Sequence, residues 1–268
     1  MTPQADGGAA ARVRLVFITG ASSGIGQALA ARYAQDGWRL ALVARRPTAV
    51  QDWARGQGWP AEQVAVYGAD VAEPDSIIAA AQACLAAQGL PDVVIASAGI
   101  SVGMDSAERA DLEVMRETFA VNNLGLAATF HAFLQPMRQR GSGTLVGIAS
   151  VSAIRGLPGH GAYCASKAAV VAYCESLRGE SRRQGVRVVT LLPGYVATPL
   201  TAKNPYAMPF LMTADALAQR AMRAIAAGTS YRVIPWQMGV LAKLLRLLPN
   251  ALFDRLLGGR SRKPRRAQ

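Results

Sequence analysis

Short apolar runs alternate along this chain with longer stretches of helical period. The runs fall at 13–19, 39–44, 64–67, 93–97, 144–149, 187–192 and 231–234, and several contain almost no polar residue. Strands of that composition are buried on both faces, as in parallel sheets covered by helices. Helical spacing of apolar residues runs over 24–36, 75–88, 108–139, 162–184 and 213–227. The alternation predicts an α/β fold, a doubly wound and mostly parallel seven-stranded sheet with helices on both faces. Right-handed crossovers put a ligand site beyond the carboxyl ends of such strands.

No repeat or linker interrupts 12–235, which reads as one catalytic-sized domain, and 1–11 reads as a disordered leader. From Trp236 the pattern changes. Val240, Leu241, Leu244, Leu245 and Leu248 fall on one helical face, with Lys243 and Arg246 on the other. Pro249 breaks that helix, and Leu252, Phe253, Leu256 and Leu257 form a second apolar group. Residues 236–268 are therefore read as an amphipathic helical appendage with a basic tail. Such a segment suits peripheral contact with an anionic membrane surface, or subunit packing, or a cover over a substrate cleft.

Composition narrows the field. With 51% hydrophobic residues and 26 glycines the chain is globular. Its formal charge of +12 first suggests nucleic acid, but Arg260, Arg262, Lys263, Arg265 and Arg266 concentrate five cations in the last nine residues. The rest is mildly basic and carries no nucleic-acid-binding motif, so no nucleic-acid partner is expected. Cys84, Cys164 and Cys174 have no ligand spacing and read as free thiols in a reducing compartment; no metal site is expected. No run of 18 apolar residues is present, and the expected setting is cytoplasmic, or peripheral at the inner face of a membrane.

After the first run comes Thr19-Gly20-Ala21-Ser22-Ser23-Gly24-Ile25-Gly26, leading into a helix. Glycines there permit a tight turn and close approach of the main chain to a pyrophosphate, which the helix N-terminus then faces with free amides. This is the phosphate loop of a Rossmann-type domain, with Gly20, Ser22, Ser23, Gly24, Ile25 and Gly26 as cofactor-binding residues. Where an acid would bind the ribose hydroxyls of NAD, the second run ends in Arg45-Arg46. Guanidinium groups suit a 2′-phosphate, so NADP(H) is favoured over NAD(H). Tyr163 and Lys167 stand one helical turn apart. A cation ~4 Å from a phenol would lower its pKa by roughly 2–3 units, towards useful acid/base range.

These motifs, in this order, resemble the single-domain branch of the short-chain dehydrogenase/reductase family over about 14–234. The resemblance implies a catalytic set of Ser150, Tyr163, Lys167 and Asn122, the last fixing a water between lysine and solvent. It implies adenine contacts from Asp70 and Val71, close cofactor approach at Ala98 and Gly99, and nicotinamide contacts from Pro193, Gly194, Val196 and Thr198. Tyr163 and Lys167 would also touch the cofactor. One departure is Ser97, where the family usually has asparagine; loss of that amide removes a brace from nearby main chain. The helices at 108–139 and 162–184 resemble the family's dimer-forming pair, so a homodimer or homotetramer is expected.

The implied reaction is reduction of a carbonyl, or oxidation of the alcohol, by hydride transfer with Tyr163 as acid/base. The apolar, methionine-containing stretch 198–213 points to a hydrophobic, lipid-like small-molecule substrate. His160 stands just before Tyr163 and is a candidate for approaching that substrate, whereas His131 reads as structural or exposed. The alternative is a non-catalytic NADP(H)-binding sensor or scaffold of the same fold, which would not need the acid/base set. A sugar-nucleotide epimerase would need a larger C-terminal substrate domain.

Overall fold

A computed structural model describes residues 12–202, 204–259 and 261–266. The expected leader 1–11 and Arg260 lie outside the described residues. In chain order the main elements are β1 (Leu15–Thr19), α1 (Gly24–Gln35), β2 (Arg39–Ala44), α2 (Pro47–Gly56), β3 (Val64–Gly68), α3 (Pro74–Gln88), β4 (Val93–Ala96), α4 (Asp111–Phe119) and α5 (Gly125–Arg140). There follow β5 (Gly143–Ile148), α6 (Gly161–Ser181), β6 (Val186–Pro193), β7 (Val196–Ala197), β8 (Met212–Thr213), α7 (Ala214–Ala226), β9 (Tyr231–Ile234), α8 (Trp236–Leu247) and α9 (Asn250–Leu257).

Seven strands form one parallel sheet in the order β3-β2-β1-β4-β5-β6-β9. Alternation along β1 explains the two-sided burial. Leu15 and Phe17 face a core shared with α3, α5 and α6, and Phe17 meets Phe133 edge-on with ring centres 4.7 Å apart. Val16 and Ile18 face the opposite core, shared with α1 and α7. Each such side chain, fully buried, contributes about 1.5–3 kcal/mol of transfer free energy. Strand order reverses between β1 and β4, so the loops after these strands splay apart and leave a crevice at their carboxyl ends.

Three local features differ from the periodicity. Helix α2 is absent from the predicted elements; Pro47 opens it, and only Val50 and Ala54 are buried, a weak apolar signal. The helix expected over 108–139 is interrupted by a π-helical turn at Ala120–Leu124. In α8 the expected apolar face is split: Val240 and Leu244 are exposed, while Met238 and Gly239 are buried against Gly194 and Val233. That inward choice follows from Gly239, whose missing side chain lets the helix close on Val233.

Candidate active site

The glycine loop joins β1 to α1. Gly20 and Gly24 take left-handed backbone (φ 71° and 57°) that side chains disfavour. A Cβ on Gly20 would stand 2.8 Å from the Ala98 main chain, and one on Gly26 would overlap the Gly20 carbonyl oxygen. The loop is thus closed by main chain packed on main chain, a cradle only glycine permits. It lines one groove with Ser22, Ser23, Ile25, Arg45, Arg46, Asp70, Val71, Ala98, Gly99 and Thr198. Arg45 lies 4.0 Å from the Asp70 carboxylate, and Asp70 accepts a hydrogen bond from the Ala72 amide at 3.0 Å. These residues fit a dinucleotide: a glycine cradle for the pyrophosphate and two guanidinium groups at the ribose end.

The sequence-predicted residues Pro193, Gly194 and Val196 do not line this groove. Pro193 ends β6, the Gly194 amide is bound by Ile234 O at 2.8 Å, and Val196 is buried in β7. They support the wall whose groove surface is Thr198, Pro199 and Leu200.

Beyond Gly99 lies the acid/base set. Ser150 ends the extended segment after β5, and its Oγ accepts from the Ser152 amide at 3.1 Å. Tyr163 and Lys167 lie one turn apart on α6. Lys167 is buried and its Nζ donates to Ile148 O at 2.8 Å. Burial lowers its pKa to about 8. Tyr163 keeps some exposed surface, but burial of the phenol pushes its pKa up to about 12, partly offset by the Ser150 hydroxyl. The expectation of a phenol pKa lowered by Lys167 is not met here. The ammonium is 5.8 Å from the ring centre and engaged by Ile148 O, so desolvation of the phenolate outweighs its attraction.

Asn122 comes from the π-helical turn, whose wider pitch aims its amide at the strand-end loop. Its Oδ1 accepts from Ile100 N at 2.8 Å, and its Nδ2 donates to Ile100 O at 3.0 Å and to Ser166 Oγ at 2.9 Å. Both amide protons are thereby used on the protein, and Asn122 acts first as a clamp. Gly99 stands between it and the lysine: a Cβ there would be 3.2 Å from Asn122 Oδ1 and 3.4 Å from Lys167 Nζ.

Two supports were missed from sequence. Ser166 links Asn122 to α6 and donates to Tyr163 O at 2.8 Å; its place one residue before Lys167 on a buried face was the available signal. Thr19 Oγ1 accepts from the amides of Ser97 and Ala98 at 3.1 and 3.2 Å. The main chain around Ser97 is therefore braced without the family's asparagine.

His160 immediately precedes α6 and is buried, with Nε2 3.2 Å from Tyr206 Oη. Both line a small cavity of about 30 Å³ with Leu157, Pro158, Tyr195, Leu257 and Ser261. His131 is exposed on α5. Among the described residues no cluster of His, Cys, Asp and Glu could hold a metal, and no helix is long and apolar enough to cross a membrane.

The pattern of the short chain dehydrogenase family matches residues 14–208. An uncharacterized oxidoreductase of Myxococcus xanthus is 39% identical over 244 residues, covering 90% of this chain and 95% of its own. Among solved structures, a short-chain dehydrogenase from Streptomyces avermitilis superposes with a TM-score of 0.77 at 25% identity, over 94% of this chain and 100% of its own. A short-chain dehydrogenase from Sphingobium yanoikuyae in complex with NADPH gives 0.74 at 26% identity, over 89% and 98%. Seven parallel strands in this order, the glycine cradle and those matches agree: the chain belongs to the short-chain dehydrogenase/reductase family of oxidoreductases.

Proposed function

We propose that this oxidoreductase reduces a carbonyl, or oxidises the corresponding alcohol, on a hydrophobic substrate with NADP(H) as cofactor. The observation that carries the reading is the set of Ser150, Tyr163 and, one turn on, the buried Lys167, whose Nζ is 3.4 Å from the Cβ position of the groove residue Gly99. When bound, the nicotinamide supplies or accepts the hydride. In the reducing direction Tyr163 Oη holds the proton that the developing alkoxide takes, and its raised pKa keeps that proton in place at neutral pH. Ser150 Oγ lies beside the same oxygen position as a second donor, and the Lys167 ammonium adds positive charge where negative charge develops.

Arg45 and Arg46, both exposed at the ribose end of the groove, support the phosphorylated cofactor. The apolar side chains of Leu157, Pro158, Tyr195, Tyr206 and Leu257, with His160 supplying polarity, support an apolar substrate end. A carbonyl panel assayed with NADPH and with NADH tests this reading. Turnover of apolar ketones or aldehydes with NADPH is expected; tight NADPH binding without turnover of any substrate would favour a sensor or scaffold role.

We also propose that the outer face of α8 and α9 rests on an anionic membrane surface. Trp236, Val240, Leu244, Leu247, Leu252 and Leu256 are exposed there, Leu247 to 81%. Exposed Lys243, Arg246 and Arg255 lie among them, with Asp254 as the acid on these helices. That mixture suits an interfacial helix on anionic lipid, whereas a second copy would set like charges opposite one another. Flotation with phosphatidylserine vesicles is expected, and Leu244→Glu with Leu247→Glu should abolish it. Unchanged flotation of that variant would remove the membrane reading.

A further inference from the structure

Residues 261–266 of the basic tail are docked on the protein, and Lys263 reaches the edge of the cofactor groove at Leu200. Lys263 Nζ donates to Ser101 Oγ at 3.1 Å and to Leu200 O at 3.0 Å. Ser101 follows Ile100 on one lip of the groove, and Leu200 lies on the other. The ammonium therefore bridges the two lips.

The segment carrying it is fixed at several points. Gly103 N donates to Pro264 O at 3.1 Å, and any Cβ on Gly103 would overlap the Lys263 carbonyl oxygen. A Cβ on Gly159 would stand 3.0 Å from the Arg262 side chain, so the segment is seated between two loops. Ion pairs then tie it to α4 and to the turn before it. Arg265 Nε donates to the buried Asp111 carboxylate at 2.7 Å, and Arg265 also lies 3.7 Å from Glu108. Arg266 pairs with Glu117, and Arg262 lies 3.9 Å from Asp105. The Asp111 carboxyl is held below its usual range by the Asp105 amide first and by Arg265 second.

We propose that residues 261–266 are a strap that retains the bound dinucleotide, with Lys263 as the positioning residue that closes the groove between Ser101 and Leu200. The proposal rests on the reading of the groove as an NADP(H) site. While the strap is docked, a dinucleotide in the groove is covered at this end, and its release requires Lys263 to leave both lips. The α4 acids set how often that happens. A pair made with buried Asp111 resists screening, and the exposed Arg266–Glu117 and Arg262–Asp105 pairs do not, so release is salt-sensitive.

The test is stopped-flow displacement of NADPH from the full chain. It compares the parent protein with Lys263→Met, with Arg265→Gln/Arg266→Gln, and with Gly103→Val, which ejects the strap sterically and leaves every cation in place. Release roughly tenfold faster is expected from all three variants, because dissociation is where closure acts. Release rates within twofold of the parent in the arginine and Gly103 variants would overturn the strap. Acceleration in Lys263→Met alone would also overturn it, since that pattern describes a direct phosphate contact without ionic docking. If the parent protein itself bound no NADPH, the cofactor reading would fail and the strap with it; NADPH binding with unchanged release removes the strap only.

Discussion

Along the cofactor groove the walls are made chiefly of main chain from consecutive strand ends, with glycine where contact is closest. At the proposed substrate end the walls come from segments far apart in sequence: the loop before α6, the stretch around Tyr206, and α9 with Ser261. The first region is set by local geometry and tolerates almost no added atom. The second depends on tertiary packing and on side chains that can be exchanged. The contrast teaches where activity is fragile and where specificity can be altered.

The harshest way to break the contrast is to add atoms to the cradle. Gly26→Val puts side-chain carbon into the Gly20 carbonyl, so the loop must open. NADPH affinity should fall at least about a hundredfold, ~2.7 kcal/mol, by isothermal titration. A smaller loss is expected at the groove's exposed end. Arg45→Asp should weaken NADPH roughly ten- to hundredfold while NADH binding holds or improves, the scale of one or two charge-assisted hydrogen bonds. Equal losses for both cofactors would contradict the 2′-phosphate assignment.

Alkaline pH probes the interior shared by both regions. Burial raises Tyr163, Tyr67 and Cys84 to about 12 and Cys174 to about 11. Groups with raised folded pKa contribute stability that is complete below their unfolded values, near ~8.5 for cysteine and ~10 for tyrosine, and lost as pH climbs through the folded ones. Lys167, lowered to about 8, acts with the opposite sign between there and its unfolded value near ~10.4. Raised phenols and thiols outnumber the lowered lysines, so the melting temperature should decline from about pH 9 upward, as seen by circular dichroism. A melting temperature flat to pH 11 would contradict the burial assigned to these side chains. The smallest effect is expected at Ser97→Asn, because Thr19 already braces that main chain. A shift within ~0.5 kcal/mol is expected in urea unfolding.

Much of the first region was legible in the sequence because its signals are local. Gly20, Gly24 and Gly26 stand where a strand meets a helix, and Arg45-Arg46 closes the next strand. The strands announced themselves by unbroken apolar runs, whereas α2 is short, buries only Val50 and Ala54 and carries few apolar residues. The spacing of Tyr163 and Lys167 was plain, but not their electrostatics: no local pattern tells that Ile148 O holds the ammonium. The cations of 262–266 look the same in sequence whether solvated or paired. Their partners, from Asp105 to Glu117, lie about 150 residues away in the chain, and only folding brings them together.

We propose that Tyr163 supplies the proton to a carbonyl reduced by NADPH. The most direct test is single turnover of NADPH-loaded protein with a reducible ketone, comparing the parent with Tyr163→Phe. NADPH affinity should be unchanged within about twofold, and hydride transfer should slow by at least about a thousandfold, the scale of a lost general acid. Transfer at the parent rate in the phenylalanine variant would contradict the account.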